Sequence, residues 1–360
     1  MSKKILYAIS SLWLWHATRS MAIINYLLSK KYHIVILSNW NALNFLKEEL
    51  KNIQNIEFVD FGDYPPLERW NWIIMYVYLI IDLIKTFTII QKEKEYVESR
   101  KSDFDLIFSD WRYGIYNKSI KSYIISHQIS FIMPKFLGIF SWLLDYCNHL
   151  FLKKFDEVLI PDFKDNKKNM AWKLSHCKIL KKLKHSYIWP LSLYENDIWI
   201  KKDIDYLFII SWYLLEHKWS FIDTLLKEAE KLKWKKFFVL WDTLENYKKY
   251  IKETDITIYS YVSWEIRNDL MSRSKIIISR SGYTSIMDFV KLWKKAILFP
   301  TPNQTEQEYL AKYLWENWYF VVWKQEDNIN LEKLINKTDK IKIFEINNEN
   351  FEQKLEKIIG

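Results

Sequence analysis

Residues 278–311 read ISRSGYTSIMDFVKLWKKAILFPTPNQTEQEYLA, which gives two strand patterns, each followed by a helical one. The first strand is β-branched and ends at Arg280. A helix N-terminus carries backbone amides without intrahelical partners, so a helix that begins directly after a strand can bind phosphate oxygens. Residues with small or hydroxyl-bearing side chains open this helix; they are Ser281, Gly282, Thr284 and Ser285. The stretch therefore predicts an anion-binding turn, and the alternative is an ordinary capped helix followed by a solvated loop.

The remainder of this stretch adds polar side chains that could recognise a nucleoside and a sugar. Asp288 lies one helical turn after Thr284 on the same helix face, and its carboxylate could accept hydrogen bonds from two ribose hydroxyls. The next strand leads into a loop that Pro300 and Pro302 stiffen. Carboxamides and carboxylates in that loop can bind sugar hydroxyls; the loop contains Asn303, Gln304, Glu306, Gln307 and Glu308.

Outward from this stretch, short β-branched runs alternate with helical patterns, which is typical of parallel strands joined by crossover helices. The pattern predicts two sets of six strands. The first set lies at 5–10, 33–38, 56–61, 106–109, 123–126 and 158–161, and the second at 206–211, 237–240, 256–261, 276–279, 296–299 and 319–322. Between the sets, residues 186–205 are polar, contain Pro190 and lack a clear period, so we expect a linker there.

These strands predict an α/β chain with two Rossmann-like, doubly wound parallel-sheet domains that face each other across a cleft. The domains are expected at residues 1–200 and 201–346, and residues 347–360 form a charged helix that could pack back across either one. Ligands of such sheets bind beyond the carboxyl ends of the strands, so the loops that follow strands are the candidates for chemistry.

The loop after the first strand, residues 10–20, reads SSLWLWHATRS and supplies the candidate catalytic residue, His16. An imidazole with a pKa near 6.5 can accept a proton from an attacking hydroxyl. Trp13 and Trp15 precede His16 in this loop, on the side where we expect the acceptor. The alternative is a histidine that caps the following helix and has no catalytic duty.

Two further loops follow strands. Residues 109–117, SDWRYGIYN, carry Asp110 and Arg112, either of which could hold an acceptor or steady His16; a pair that braces the loop fits the sequence equally well. Residues 210–221, ISWYLLEHKWSF, follow the first strand of the second set, and a turn there at Trp212 could approach a diphosphate.

The composition contains an anomaly, because the chain has 19 Trp and only 5 Gly. Globular proteins average about 7% glycine, and many of these Trp lie in loops where glycine is expected. We therefore predict that many of them are glycines encoded by UGA in a genome that reads this codon as glycine. A chain that is truly rich in tryptophan is the alternative, and UGG codons at Trp13, Trp15, Trp212 and Trp241 would establish it.

Charge and length exclude several classes of protein. With 360 residues, 49% of them hydrophobic, the chain is neither disordered nor fibrous, and two cysteines are too few for a disulfide scaffold or a cysteine zinc site. The net charge of +9 favours anionic partners, including an anionic membrane surface. The longest apolar run, residues 72–81, is far shorter than the roughly 20 residues of a membrane span. We expect a cytoplasmic protein, soluble or peripheral on the inner face of the membrane.

With glycine at Trp13 and Trp15, the chain resembles the family 28 glycosyltransferases of the GT-B fold, which include the peptidoglycan N-acetylglucosaminyltransferase and the diacylglycerol glycosyltransferases. The resemblance lies mainly in residues 278–311. It implies a nucleotide-sugar donor, most often a uridine diphosphate sugar, an acceptor on the N-terminal domain, inversion, and transfer without an obligatory metal.

The resemblance also implies roles for single residues. Ser281 and Gly282 match the backbone that meets the diphosphate, with Thr284 and Ser285 beside it. Asp288 matches a ribose-binding carboxylate that is usually Glu, and His16 matches the general base. Gln307 and Glu308 match the polar pair that faces the donor sugar.

We therefore predict a glycosyltransferase that uses neither a cofactor nor a metal and does not bind nucleic acid. The sequence leaves the acceptor open, with a lipid-linked or cell-envelope glycan as a candidate. Two alternatives stay open: a nucleotide-sugar hydrolase or epimerase of the same fold, and a non-catalytic nucleotide-binding or peripheral membrane protein. Neither a G-x-x-x-x-G-K-[ST] phosphate loop nor a G-x-S-x-G elbow occurs in the sequence.

Overall fold

The computed structural model of the chain describes residues 2–12, 14–65, 72–133, 138, 141–165, 168–195, 197, 199–210, 215–240, 247–325, 328–344 and 350–360, with the backbone alone for 72–81 and 215–218. Two compact units are formed. The first comprises Met1–Phe131, Lys135–Leu193 and Glu349–Gly360, and the second comprises Ile132–Pro134 and Tyr194–Asn348.

The first unit contains a seven-stranded parallel sheet with the strand order β3-β2-β1-β4-β5-β6-β7. Its strands are β1 (Lys4–Ile9), β2 (His33–Ser38), β3 (Ile56–Asp60), β4 (Leu106–Asp110), β5 (Lys121–Ile125), β6 (Glu157–Ile160) and β7 (His185–Tyr187). Its helices include α1 (Leu14–Ser29), α2 (Trp40–Glu49), α3 (Trp72–Ser99) and α4 (Ser141–Leu152). The β1 residues 5–9 are all fully buried, as expected for a parallel sheet covered by helices on both faces.

The second unit also contains a seven-stranded sheet, in the order β10-β11-β9-β8-β12-β13-β14. Its strands are β8 (Ile204–Ile209), β9 (Lys236–Val239), β10 (Lys248–Ile251), β11 (Ile256–Tyr259), β12 (Ser274–Arg280), β13 (Lys295–Phe299) and β14 (Val321–Val322). All neighbours pair in parallel except β10, which pairs antiparallel with β11 at the edge. Its helices include α5 (Leu215–Glu230), α6 (Trp264–Arg273), α7 (Tyr283–Lys291), α8 (Thr305–Glu316) and α9 (Leu331–Lys337).

Both sheets follow the order of a doubly wound fold, and this order fixes where ligands can bind. The strand order reverses between β1 and β4 in the first unit and between β8 and β12 in the second. Ligands of open α/β sheets bind beyond the carboxyl ends of the strands at this switch point. The loops after β1 and β4, and after β8 and β12, are therefore the positions from which each sheet presents side chains to a ligand.

The predicted fold class is confirmed, and all twelve predicted strands are present. The sequence missed β7 and β10, because their residues HSY and KKYI are polar and short and lack the β-branched run by which the other strands were recognised. The chain passes from the first unit to the second after Leu193, a few residues before the boundary near residue 200 that the sequence predicts.

The closing helix belongs to the first unit. This helix, α10 (Phe351–Ile359), begins after Asn350, whose side chain accepts a hydrogen bond from the backbone amide of Gln353. It buries Phe351, Leu355 and Ile359, and the Tyr123 hydroxyl on β5 donates to the carbonyl of Ile358 at 3.1 Å. The chain thus returns from the second unit to complete the first.

Candidate functional site

In the first unit, the switch point brings together one face of α1 and the end of β4. His16, Arg19 and Ser20 lie on the first turns of α1, and Asp110 is the last residue of β4. All four are buried: His16 is 3% exposed, Arg19 is 1% exposed, and the other two are fully buried. Buried polar side chains require partners, and these four provide them for one another.

Asp110 is the centre of this cluster. Its Oδ1 atom lies 2.7 Å from His16 Nδ1, and Arg19 donates to Oδ2 from Nε at 2.7 Å and to Oδ1 from Nη2. The Ser20 hydroxyl donates to Oδ2 at 2.9 Å. A guanidinium that donates to both carboxylate oxygens holds that carboxylate in one orientation. The orientation of Asp110 in turn fixes the ring of His16.

The contact with Asp110 sets the tautomer of His16. A carboxylate oxygen only accepts hydrogen bonds, so we place the imidazole proton on Nδ1, which donates it to Oδ1 at 2.7 Å. Nη2 of Arg19 lies 2.9 Å from the same nitrogen, and with this tautomer it donates to Oδ1 of Asp110 and not to the imidazole. In this tautomer the lone pair lies on Nε2. Burial lowers the pKa of His16, an effect that the nearby Asp110 carboxylate opposes and Arg19 reinforces. The imidazole is therefore neutral at pH 7, with one nitrogen ready to accept a proton.

The Asp110 carboxylate stays ionised. Burial on its own would raise the pKa of Asp110, but the charges of Arg19 and His16 and their hydrogen bonds outweigh burial and hold that pKa below its ordinary value. Arg19 also donates from Nη1 to Nδ1 of His127 at 3.1 Å, which places this second histidine behind the cluster. An ionised Asp110 can stabilise the imidazolium that forms when His16 takes up a proton.

Two indole rings lie against His16. The Trp111 ring is stacked on the imidazole with centroids 5.7 Å apart, and the Trp15 ring is tilted with centroids 6.3 Å apart. The backbone of Trp111 has a positive φ of 67°, a conformation that residues other than glycine rarely adopt. Trp13 lies outside the described residues.

Arg112 has partners of its own and does not pair with Asp110. Its Nε donates to Glu93 Oε1 at 2.7 Å, and its Nη1 lies 3.6 Å from Asp63 Oδ2. Asp63 in turn accepts a hydrogen bond from the Ser10 hydroxyl at 3.2 Å. The Asp110–Arg112 pair that the sequence offered as an alternative is therefore not formed; the fully buried Arg112 instead braces the loop through Glu93 on α3, and Asp110 contacts His16.

Glu93 ties this brace to the loop that follows β4. Its Oε2 accepts hydrogen bonds from the Tyr64 hydroxyl and from the Gly114 backbone amide, each at 2.8 Å. A Cβ at Gly114 would lie 2.4 Å from the carbonyl oxygen of Ile90, so only glycine fits there. Burial raises the pKa of Glu93, against the opposing effect of Arg112. Glu93 therefore holds the loop that directly follows Asp110 in place through Arg112 and Gly114.

In the second unit, the turn after β12 forms the N-terminus of α7. Gly282 is the N-cap residue and provides no side-chain cap, and the space where its Cβ would lie is open to a distance of 4 Å. The backbone amides of Tyr283, Thr284 and Ser285 are the first of the helix and so have no intrahelical acceptors. Among the described residues, the Thr284 hydroxyl has no hydrogen-bond partner although its oxygen is buried. These donors, together with the helix dipole, suit an anion.

Arg280 adds a positive charge directly before this turn. It is 6% exposed, its guanidinium carbon lies 4.1 Å above the Phe221 ring, and its Nη1 is 3.5 Å from the carbonyl of Phe299. Burial lowers the pKa of Arg280 to about 10, so it remains charged at pH 7. None of the ion pairs found in the described part of the chain involves it, and a buried cation of this kind favours an anionic ligand.

The loop after β13 lies beside this turn, but two of its predicted sugar-binding side chains are engaged within the loop. Gln307 is buried, and its Oε1 accepts hydrogen bonds from the backbone amide and the hydroxyl of Thr301, both at 3.0 Å. Its Nε2 donates to Gln304 Oε1. Glu308 accepts from the backbone amide of Asn303 at 3.1 Å. In this arrangement the two residues order the loop.

The two loops of the second unit are also joined directly. The Ser281 hydroxyl donates to the carbonyl oxygen of Gln307 at 2.9 Å, which links the start of α7 to α8. Asp288 and Ser285 are half-buried residues of α7, so the structure brings the predicted phosphate and ribose residues onto one helix. Trp212 lies outside the described residues.

Sequence reasoning missed Arg19, Ser20 and Glu93. Arg19 could have been found, since it lies one turn after His16 on the same helix face and needs a buried partner. Glu93 lies in the middle of a long helix, where the sequence carries no sign that its carboxylate is buried. Within the described part of the chain, no group of three or more His, Cys, Asp or Glu side chains is placed to hold a metal ion.

Comparison with known proteins matches part of the chain to the family that the sequence resembles. Residues 225–357 match the family model described as glycosyltransferase family 28 C-terminal domain. Over 128 residues the chain is 30% identical to the UDP-N-acetylglucosamine--N-acetylmuramyl-(pentapeptide) pyrophosphoryl-undecaprenol N-acetylglucosamine transferase of Lactobacillus helveticus (strain DPC 4571). That match covers 34% of this chain and 35% of the relative, so it spans about a third of the curated protein.

Solved structures share the fold over the whole chain. A UDP-glucosyltransferase from Polygonum tinctorium superposes with a TM-score of 0.67 at 10% identity, covering 99% of this chain and 98% of that one. MurG from Acinetobacter baumannii superposes with a TM-score of 0.58 at 11% identity, covering 99% of both chains. The predicted fold is thereby confirmed: the chain has the GT-B fold of these glycosyltransferases, and residues 225–357 match the model of the family 28 C-terminal domain.

Proposed function

We propose that this protein is a glycosyltransferase that moves a sugar from a nucleotide diphosphate donor, a UDP-sugar, to an acceptor hydroxyl. The observation that carries the proposal is the contact between His16 Nδ1 and Asp110 Oδ1 at 2.7 Å, which leaves Nε2 of a neutral imidazole as a base. The family 28 domain and the names of the relatives, which specify UDP-sugar donors, support it.

In the proposed reaction, His16 Nε2 takes the proton of the acceptor hydroxyl as that oxygen attacks the anomeric carbon of the donor. The bond between this carbon and the diphosphate oxygen breaks, and the diphosphate leaves with the electron pair. The proton remains on His16 as an imidazolium, which the ionised Asp110 stabilises. A single displacement of this kind inverts the anomeric carbon, so we propose an inverting transferase.

The second unit holds the donor in this proposal. The backbone amides at the start of α7, the Thr284 hydroxyl and Arg280 meet the diphosphate and stabilise the charge that develops as it leaves. We assign this stabilisation to protein donors, without a metal or a further cofactor. Asp288 accepts from the ribose hydroxyls, and the loop that carries Gln304, Gln307 and Glu308 meets the donor sugar.

We further propose that the acceptor is a lipid-linked or cell-envelope glycan and that the protein attaches to an anionic membrane surface from the cytoplasmic side. Among the described residues, no helix is both long enough and apolar enough to cross a membrane. The first unit nevertheless exposes large apolar side chains on α3 and α4, two helices that meet where the rings of Phe87 and Phe151 lie 6.4 Å apart. We call these side chains the α3/α4 patch: Leu83, Ile84, Phe87, Trp142 and Tyr146 are 50%, 62%, 58%, 66% and 54% exposed.

An apolar patch on a chain with a net charge of +9 suits a lipid surface with anionic headgroups. Vesicle sedimentation with and without anionic lipid tests this attachment. We expect Phe87→Glu to abolish sedimentation with anionic vesicles. The matched control is Ile53→Glu, which alters an exposed residue outside the patch and should sediment like the unaltered protein. Equal sedimentation of both variants would contradict the attachment.

The catalytic proposal is tested with UDP-sugars, a lipid and glycan extract from the source organism, and a measurement of released UDP. We expect release that requires the acceptor extract and that His16→Ala abolishes. The matched control is His33→Ala, which removes a histidine that contacts Glu57 at the surface and should leave the rate unchanged. Free or isomerised sugar formed without an acceptor would instead identify a hydrolase or an epimerase.

A further inference from the structure

Seven tryptophans in the described part of the chain have a backbone conformation that normally belongs to glycine. Ten residues other than glycine have a positive φ there, and seven of these are Trp: Trp40, Trp111, Trp172, Trp189, Trp234, Trp293 and Trp318. The other three are Lys31, Asp255 and Asn303, and Asp and Asn tolerate this region better than most residues. An indole at a positive φ is a true outlier, and seven in one chain require an explanation.

Two of these tryptophans occupy the position where glycine most often ends a helix. At the end of α7, the Trp293 amide donates to the carbonyl of Val290 at 3.2 Å and the Lys294 amide to the carbonyl of Phe289 at 2.9 Å. This pair of hydrogen bonds defines the Schellman motif, in which the residue at the position of Trp293 is usually glycine. The φ of Trp293 is 52°.

The end of α8 repeats this geometry. The Trp318 amide donates to the carbonyl of Trp315 at 3.0 Å, the Tyr319 amide donates to the carbonyl of Leu314 at 2.9 Å, and the φ of Trp318 is 63°. The end of α1 has the same pair of bonds around Lys31, so a residue other than glycine can occupy the motif. What is unusual is an aromatic residue there twice.

Four of the seven side chains are also exposed, whereas Trp111 is buried and Trp172 and Trp189 are half-buried. Trp40 is 76% exposed, Trp234 67%, Trp318 47% and Trp293 43%. A tryptophan normally buries most of its large apolar surface, so its exposure brings no packing that would offset a strained backbone. The five glycines of the sequence show the opposite pattern, since Gly360 is the only one with a positive φ.

We propose that these seven positions are glycine in the native protein, because its gene encodes them with UGA and the source organism translates this codon as glycine. The positive φ identifies which tryptophans stand at glycine positions. The composition of 19 Trp and 5 Gly independently indicates that the chain has too many tryptophans and too few glycines. The same reading of Trp13, Trp15 and Trp212 remains a prediction from the sequence.

The assignment changes the surroundings of His16, a step that rests on the proposed function. Trp111 lies directly after Asp110 in the chain and its ring covers one face of the imidazole. Glycine at position 111 would remove this ring, so we expect His16, which is 3% exposed beside the indole, to become accessible to a substrate hydroxyl. Asp110 and its hydrogen bonds remain in place.

The codons of the gene and the mass of the native protein test the proposal directly. We expect UGA at all seven codons and, by peptide mass spectrometry of protein from the source organism, glycine at the seven positions. A UGG codon, or a tryptophan-containing native peptide, at position 111, 293 or 318 would overturn the proposal. Neither result depends on whether the protein is a glycosyltransferase.

Thermal unfolding of protein that carries the printed sequence gives a second readout. We expect Trp293→Gly and Trp318→Gly each to raise Tm by about 2–4 °C. Glycine adopts the left-handed conformation without strain, so the folded state becomes more stable. The matched control is Trp264→Gly, which should lower Tm because that ring packs 4.5 Å from the Tyr194 ring without a positive φ. A lower or unchanged Tm at both 293 and 318 would contradict the assignment.

Accessibility of His16 is measured with a histidine-acylating reagent. Trp111→Gly should increase the rate of acylation at His16, with His127 behind the cluster as the internal reference. An unchanged rate would overturn the step that concerns His16, while the codon and unfolding results would still decide the identity of the residues.

Discussion

Replacement of Asp110 by asparagine tests the proposed role of the buried cluster in the first unit. The Asp110 carboxylate accepts hydrogen bonds from His16, twice from Arg19 and from Ser20, and it is fully buried. Asparagine has nearly the same shape but no charge. Its amide group can also donate toward Nδ1 of His16, which would move the ring proton to Nε2, the atom that has to accept the substrate proton.

Two general magnitudes apply to this substitution because Asp110 is buried and paired with both Arg19 and His16. The loss of one partner from a buried ion pair costs about 3–5 kcal/mol, since Arg19 would keep its charge without a carboxylate. The wrong imidazole tautomer lowers kcat by about 10⁴-fold in hydrolases with a comparable Asp–His pair. We therefore expect Asp110→Asn to be less stable and nearly inactive, with KM for the UDP-sugar little changed.

The assay combines kcat and KM for a UDP-sugar with denaturant unfolding, at a temperature where the variant is folded. The matched control is Ser20→Ala, which removes one hydrogen bond to the same carboxylate and should cost about 1 kcal/mol while leaving the tautomer intact. Its kcat should remain within a few-fold of the original. If folded Asp110→Asn kept a kcat similar to that of Ser20→Ala, the argument from the tautomer would be refuted.

Three further outcomes are expected. Burial lowers the pKa of His16 below 6.5, so kcat/KM should stay constant as the pH falls through 6.5 and decline only below the lowered pKa; a decline centred above pH 6.5 would contradict a neutral buried base. Gly114→Ala places a Cβ 2.4 Å from the carbonyl oxygen of Ile90 and should cost about 1–3 kcal/mol in denaturant unfolding, whereas Gly138→Ala meets nothing within 4 Å and should be neutral. Arg280→Met should weaken UDP binding about 10- to 100-fold by calorimetry without loss of the fold, and equal affinity would remove Arg280 from the anion site.

The architecture could be predicted from the sequence because parallel strands buried on both faces require continuous β-branched runs. The runs at 5–10 and 276–279 are examples, and both became central strands. The edge strands β7 and β10 could not be predicted, since an edge strand needs little apolar surface and KKYI resembles a loop.

The candidate site was predictable where a motif stands next to a strand end. His16 and the turn at Ser281 and Gly282 were recognised in this way, and the fold places both at switch points. Asp110 was named in advance as a residue that could steady His16, and Arg19 lies on the same helix face as His16, but the pairing of Arg19 with Asp110 could not be predicted because 91 positions separate them and no local pattern links them. The orientation of Gln307 toward Thr301 could not be predicted either, since it depends on how the loop after β13 closes.

The return of α10 to the first unit has a consequence for how the protein is made. Residues 1–193 leave the ribosome before residues 350–360, whose Phe351, Leu355 and Ile359 are buried within the same unit. The first unit is therefore completed only after the segment that forms the second unit has been translated. A fragment cut between the sheets would lack this segment, and dissection of the protein would require residues 350–360 to be fused to, or supplied with, the first 193.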